Sequence, residues 1–68
     1  MQMIHVTSSN ISSVGYEADT LYVEFNSGAL YAYSGVPVNV FQSLMNASSP
    51  GGYLAAHVKN VYPYARIR

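Results

Sequence analysis

The chain has 68 residues, no cysteine and a formal net charge of zero. A chain of this length holds a single hydrophobic core and therefore one domain, residues 1–68, and without cysteine it has neither disulfides nor thiolate metal sites, which favours a reducing compartment. Since residues 1–5 lack signal-peptide features and no apolar run approaches the roughly 20 residues of a membrane span, we expect a soluble cytoplasmic domain.

The first two predicted strands lie in residues 3–7 and 11–16. The segment between them, Ser8 to Asn10, consists of residues that favour turns by bonding their own backbone. Gly15 lies inside the second strand, where a glycine usually marks a bulge or a close approach of another element. We expect another part of the chain to cross at Gly15.

A hairpin follows the turn at residues 17–20. Residues 21–25 alternate apolar and polar side chains, as in a half-buried antiparallel strand. The partner strand, residues 28–34, carries Tyr31 and Tyr33, which share one face because side chains two apart on a strand point the same way.

The hairpin turn decides which face these tyrosines occupy. A three-residue turn at 26–28 sets Phe25 opposite Ala29 and puts both tyrosines on the face of Leu21 and Val23. A two-residue turn at 27–28 would instead bury Leu30 and Ala32. We prefer the three-residue turn.

Two helices are predicted after the hairpin. The first runs from about Pro37 to Ala47, with an apolar stripe at Val40, Phe41, Leu44 and Met45. The second runs from about Gly51 to Val58, with Ser49 as its N-cap, Pro50 in its first turn, and Leu54 and Val58 facing inward.

The last segment, residues 61–68, contains Pro63, which excludes a central strand. We expect it to be an edge strand, or an arm that lies on the domain or on a neighbouring subunit. Together these elements predict an α+β fold in which an antiparallel sheet of about four strands is followed by two short helices packed on it.

Several of these segments resemble the KTSC domain family. The matching pieces are residues 6–11, Gly15-Tyr16, Tyr31-Ala32-Tyr33, Val36-Pro37, residues 47–53 and Tyr62-Pro63-Tyr64. This family is named for a domain at the C-terminus of some lysyl-tRNA synthetases and also includes small stand-alone bacterial and phage proteins. The resemblance covers nearly the whole chain and suggests RNA as a ligand.

Tyrosines and the start of the second helix are candidate binding features. Tyr31 and Tyr33 have rings that can stack on a nucleobase, and the alternative is that both rings fill the core. The segment around Ser49 and Gly51 offers unpaired N–H groups at a helix start, which suits a phosphate. The alternative there is an ordinary capped helix.

The charges are few and segregated. Acidic side chains lie in or beside the first hairpin turn, at Glu17, Asp19 and Glu24, and the basic ones lie at Lys59, Arg66 and Arg68, with His57 beside them. This excludes a broad basic face but not a compact anion pocket. Arginines interleaved with Tyr62 and Tyr64 can hold a phosphate and a base, and the alternative is a solvated basic tail.

Charged residues make up 9% of the chain, against about 25% in an average globular protein. This low content predicts that part of the surface meets another molecule, and we expect a homo-oligomer. The alternative is a surface solvated by uncharged polar side chains.

Neither metal binding nor catalysis is expected. His5 and His57 are too few for a metal site within one chain. No nucleophile context or catalytic carboxylate pair is present, so we expect a non-enzyme without a cofactor.

We therefore expect a binding module, with three hypotheses for its role. It recognises RNA or a nucleotide-containing ligand, or it is an oligomer that sequesters a nucleotide signal molecule, as a phage protein countering host defence would, or it is a structural interaction domain without a ligand. The candidate ligand-binding residues are Tyr31, Tyr33, Ser49, Gly51, Tyr53, His57, Lys59, Tyr62, Tyr64, Arg66 and Arg68.

Overall fold

A computed structural model describes all 68 residues, which form one antiparallel sheet and two helices. The strands follow each other in the sheet in chain order, so that each strand pairs with the next. The strands are β1 (Ile4–His5), β2 (Ile11–Glu17), β3 (Thr20–Phe25), β4 (Leu30–Ser34) and β5 (Tyr64–Arg66), and the helices are α1 (Val38–Asn46) and α2 (Pro50–His57).

The predicted α+β class is confirmed, but the sheet has five strands rather than about four. The additional strand is β5, which pairs with β4 at the edge of the sheet. Pro63 directly precedes β5, where its missing N–H costs the ladder no bond. Strand β1 is shorter than predicted.

The β3–β4 hairpin has the predicted three-residue turn. The backbone N–H of Phe25 donates to the carbonyl of Ala29 at 2.8 Å, and Gly28 adopts a φ of 97°. In the resulting register Val23 lies opposite Tyr31, and Leu21 lies opposite Tyr33. The tyrosines therefore share the face of the buried strand residues, which we call the inner face.

Both helices cover the inner face. Leu44 of α1 and Leu54 of α2 are fully buried, as is Val58 directly after α2. The other members of the predicted α1 stripe, Val40, Phe41 and Met45, pack against this core while remaining partly exposed. The predicted inward faces of both helices are thereby confirmed.

The opposite side of the sheet, which we call the outer face, carries no helix. Its central row runs from Gly15 through Tyr22 and Ala32 to Ala65. A Cβ at Gly15 would lie 2.8 Å from the sulfur of Met3 and 3.0 Å from a backbone carbonyl of the same N-terminal segment. The predicted close approach at Gly15 is therefore confirmed, and the crossing segment is residues 1–3.

Neither helix is long and apolar enough to cross a membrane.

Candidate functional site

A stacked pair of tyrosines lies on the inner face where the helices leave β4 and β5 uncovered. In the β4–β5 register Tyr33 lies opposite Tyr64, and Tyr31 lies opposite Arg66. The rings of Tyr31 and Tyr64 are nearly parallel, with centroids 5.1 Å apart and planes inclined by 8°. Tyr64 is 60% exposed, so one partner of this pair offers an aromatic surface to a ligand.

Tyr33, in contrast, belongs to the core. It is only 2% exposed, although its ring centroid lies 5.7 Å from that of Tyr64. Burial raises the pKa of the Tyr33 hydroxyl above its ordinary value, and the neighbouring Tyr31 and Tyr64 raise this pKa further. Of the two alternatives for the predicted tyrosine pair, the core alternative therefore applies to Tyr33, while Tyr31 remains partly open.

A concavity of about 250 Å³ lies beside the stacked rings. We call it the tyrosine pocket, and its lining residues are Tyr31, Tyr33, Lys59, Asn60 and Tyr64. Asn60 adopts a left-handed φ of 64°, a conformation that asparagine tolerates better than most residues. This residue turns the chain away from α2 and leaves Lys59 at the pocket.

Two cationic residues near the stacked tyrosines, Lys59 and Arg66, have no acidic side-chain partner. The ammonium of Lys59 lies 5.7 Å from the ring centroid of Phe25, within the range of a cation–π interaction. Arg66 shares the inner face with Tyr31 by register and donates from Nε to the carbonyl of Arg68. Neither Lys59 nor Arg66 pairs with an acidic side chain, whereas Arg68 pairs with Glu24.

A second, larger concavity of about 400 Å³ adjoins the tyrosine pocket. It shares Tyr31 and Lys59 with the tyrosine pocket. Because asparagines and serines form much of its wall, we call it the amide pocket. Its lining residues are Ser9, Asn10, Phe25, Asn26, Ser27, Ala29, Tyr31 and Lys59.

The start of α2 has the geometry of a capped helix. The hydroxyl of Ser49 accepts a hydrogen bond from the Gly52 N–H at 3.2 Å. A Cβ at Gly51 would lie 2.5 Å from Oδ1 of Asn10 and 3.3 Å from Oγ of Ser8. Gly51 therefore permits the turn after β1 to pack closely on the helix, and this packing brings Asn10 to the amide pocket.

The remaining sequence candidates lie outside both pockets. The rings of Tyr53 and His57 on α2 contact each other, with centroids 4.5 Å apart. Tyr62 packs partly buried against the core. Arg68 is held by Glu24 and by the carbonyl of Gly28.

The sequence reasoning missed the residues that line the amide pocket. Phe25 was detectable, because the preferred hairpin register already places it on the face of Tyr31. The two asparagines carried no such signal. Asn10 and Asn26 are distant in sequence, and a turn-forming role explained each one without a pocket.

The fold and site together define a small α+β domain whose sheet carries an open aromatic and cationic groove beside its helices. The chain belongs to the KTSC domain family, because the family model matches residues 7–62. The fold agrees with the crystal structure of a KTSC domain protein from Yersinia pestis, with a TM-score of 0.93 and 33% identity over 98% of this chain and 97% of that one.

Similar sequences occur both as a separate small protein and within larger enzymes. An uncharacterised protein of Stutzerimonas stutzeri is 43% identical, and the match covers 98% of this chain and 99% of that protein. Lysine–tRNA ligases of Nostoc sp. and Trichormus variabilis are each 38% identical over 87% of this chain. The match spans 11% of the length of each ligase.

Proposed function

We propose that this chain is a non-catalytic module that binds single-stranded RNA through the inner face of β4 and β5. The observation that carries the proposal is the Tyr31–Tyr64 stack, whose Tyr64 ring is 60% exposed, with two cations beside it that pair with no acidic side chain. Stacking of a base on an aromatic side chain contributes about 1–3 kcal/mol and tolerates any base. Lys59 and Arg66 then supply the charge for the phosphates.

The number of free cations sets the expected salt dependence. A single strand that engages both Lys59 and Arg66 releases about two counterions, so the logarithm of the binding constant should fall with the logarithm of salt at a slope of about −1.4. A long basic track would give a much steeper slope. We therefore expect moderate affinity that is carried mainly by stacking.

The relatives make RNA the first ligand to test. Two of them are named as lysine–tRNA ligases, proteins whose name refers to an RNA. Binding is supported by the groups that line both pockets, which include aromatic rings, side-chain amides and one ammonium.

The test is a titration of a short fluorescent single-stranded RNA, followed by anisotropy. Tyr64→Ala should weaken binding about tenfold or more, since it removes the exposed ring. Arg66→Gln should weaken binding and reduce the salt slope by about 0.7. The matched control is Arg68→Gln, which removes the same charge from a residue already paired with Glu24 and should change binding little.

The proposal is wrong if the wild-type protein does not bind the RNA, or if Arg66→Gln and Arg68→Gln weaken binding equally. Because Tyr64 is mostly exposed, Tyr64→Ala should fold normally, and thermal melting checks this.

A nucleotide signal molecule is the second candidate ligand, and the small volume of the tyrosine pocket favours it. A small nucleotide should raise the melting temperature by mass action and depend less on salt than the RNA does. If neither ligand has an effect, the structural interaction domain without a ligand is the remaining hypothesis.

A further inference from the structure

We infer that the amide pocket holds a second nucleobase, so that the unit recognised is two consecutive unpaired nucleotides. This inference rests on the proposed function, because it takes the tyrosine pocket as the site of the first base. It assigns a binding role to Asn10 and Asn26, which belong neither to the stacked tyrosine pair nor to the hydrophobic core.

The two pockets are arranged as neighbouring subsites. Tyr31 lines both of them, so the tyrosine pocket and the amide pocket adjoin at this residue. On the amide side, Phe25 packs edge-on against Tyr31, with ring centroids 5.3 Å apart and planes inclined by 79°. Each pocket therefore offers an aromatic wall to a base, and a volume of about 400 Å³ is within the usual range of small-molecule sites.

The amide pocket also offers free hydrogen-bonding atoms of both kinds. Asn26 donates from Nδ2 to the carbonyl of Ser9 at 3.1 Å, which leaves its Oδ1 as an unused acceptor. Asn10 accepts from the hydroxyl of Ser8 at 3.1 Å through Oδ1, which leaves its Nδ2 as an unused donor. A donor and an acceptor at one site match the edge of a nucleobase, where donors and acceptors lie side by side.

Lys59 supplies the positive charge that is available to a linking phosphate, from an ammonium 5.7 Å from the ring centroid of Phe25. It is the only cationic residue lining either pocket, and it lines both. Its ammonium has no carboxylate partner. Two bases in the two pockets are joined through one phosphate, and the shared residue places one positive charge near that phosphate.

The test compares adenosine 5′-monophosphate with the dinucleotide pApA and with a pApA analogue that lacks one base. The dinucleotide should bind at least about tenfold more tightly than the mononucleotide, because a second base stacks. The analogue should lose most of this gain.

On the protein side, Ala29→Phe fills the amide pocket without removing any side-chain hydrogen bond. This variant should abolish the gain in affinity of the dinucleotide while leaving binding of the mononucleotide unchanged.

Ala65→Phe is the matched control, because it adds the same ring on the outer face of the sheet, and it should preserve the gain. Equal affinity for the mononucleotide and the dinucleotide would overturn the inference. So would a gain that survives both Ala29→Phe and removal of one base. In those cases RNA binding that depends on Tyr64 would still support the proposed function, whereas no binding of RNA or any nucleotide would overturn both.

Discussion

Three tyrosines of the β4–β5 pair differ in their surroundings although they share one face of the sheet. Tyr33 lies under the helices and is nearly inaccessible, Tyr31 lies at their margin, and Tyr64 is 60% exposed. The three rings therefore range from buried to exposed although their centroids are only 5.1 to 6.3 Å apart. Only Tyr31 and Tyr64 are suitable for contact with a ligand.

The burial of Tyr33 leads to a prediction about alkaline stability. Its pKa is raised in the folded protein by burial, then by Tyr31 and Tyr64, whereas an unfolded tyrosine has a pKa of about 10. The raised folded pKa means that the stabilisation is fully present below pH about 10 and is lost as pH rises through the folded value. We expect the melting temperature to fall above pH about 10.

Tyr33→Phe should reduce this alkaline loss, because phenylalanine has no proton to release. Tyr22→Phe is the matched control on the same hairpin and should leave the loss as it is. A Tyr33→Phe variant with the wild-type pH profile would contradict the assignment.

The N-cap of α2 gives a second prediction at this scale. Ser49→Ala removes the acceptor for the Gly52 N–H and should lower the free energy of unfolding by about 1 kcal/mol. Ser49→Gly should lower it by only a few tenths of a kcal/mol, since glycine is itself tolerated at this position. Chemical denaturation measures both. RNA binding unchanged in the folded Ser49→Ala variant would further indicate that Ser49 acts as a cap and not as a ligand.

At the scale of elements, β5 is the strand that assembles the proposed site. It carries Tyr64 and Arg66 and pairs with one strand only, β4, because it lies at the edge of the sheet. After the strand, the backbone N–H of Ile67 donates to the carbonyl of Leu30 at 2.7 Å. The proposed site therefore forms only when β5 pairs with β4.

Ile67→Pro should loosen β5 and weaken RNA binding, because proline removes the N–H that bonds to Leu30. Ile67→Ala keeps this N–H and should bind nearly as the wild type does, since Ile67 is 56% exposed. Amide hydrogen exchange of residues 64–66 reports the loosening, and anisotropy reports the binding. Full protection and full binding in the Ile67→Pro variant would show that β5 does not depend on this bond.

At the scale of the whole molecule, the helices cover only one side of the sheet. The outer face is crossed by residues 1–3 at Gly15 and is largely apolar along the row from Tyr22 to Ala65, and Leu30 lies on the same face. A standard interface buries about 800 Å² per partner, which is about one fifth of the 3981 Å² accessible surface of this chain. If the chain self-associates, we expect the interface on the outer face, because that leaves the inner-face pockets free.

Self-association remains a prediction, and light scattering after size exclusion tests it. We expect a mass above 7.4 kDa at high micromolar concentration. Leu30→Arg should shift the protein to the monomer by placing a charge on the outer face. The control Val38→Arg adds the same charge on a helix residue that is already half exposed, and it should not change the mass. A wild-type monomer would favour the alternative of a surface solvated by uncharged polar groups.

The parts of this protein that could be predicted from its sequence are those that depend on neighbouring residues. The alternation in residues 21–25 and the glycine of the following turn predicted the hairpin and favoured the correct one of its two registers, and the apolar spacing in residues 40–45 predicted the inward stripe of α1. The N-cap at Ser49 followed from the serine and proline together. Each rests on backbone geometry that a few consecutive residues determine.

Only the tertiary structure decided which residues form the site. Sequence reasoning made the same prediction for Tyr31 and Tyr33. The position of the helices buries the ring of Tyr33 and leaves the ring of Tyr31 partly exposed. Sequence reasoning left the terminal segment as either a strand or an arm, and pairing with β4 made it a strand. The amide pocket unites Asn10, Asn26 and Lys59, which are far apart along the chain, and such long-range contacts arise from the packing of the whole chain rather than from any local pattern.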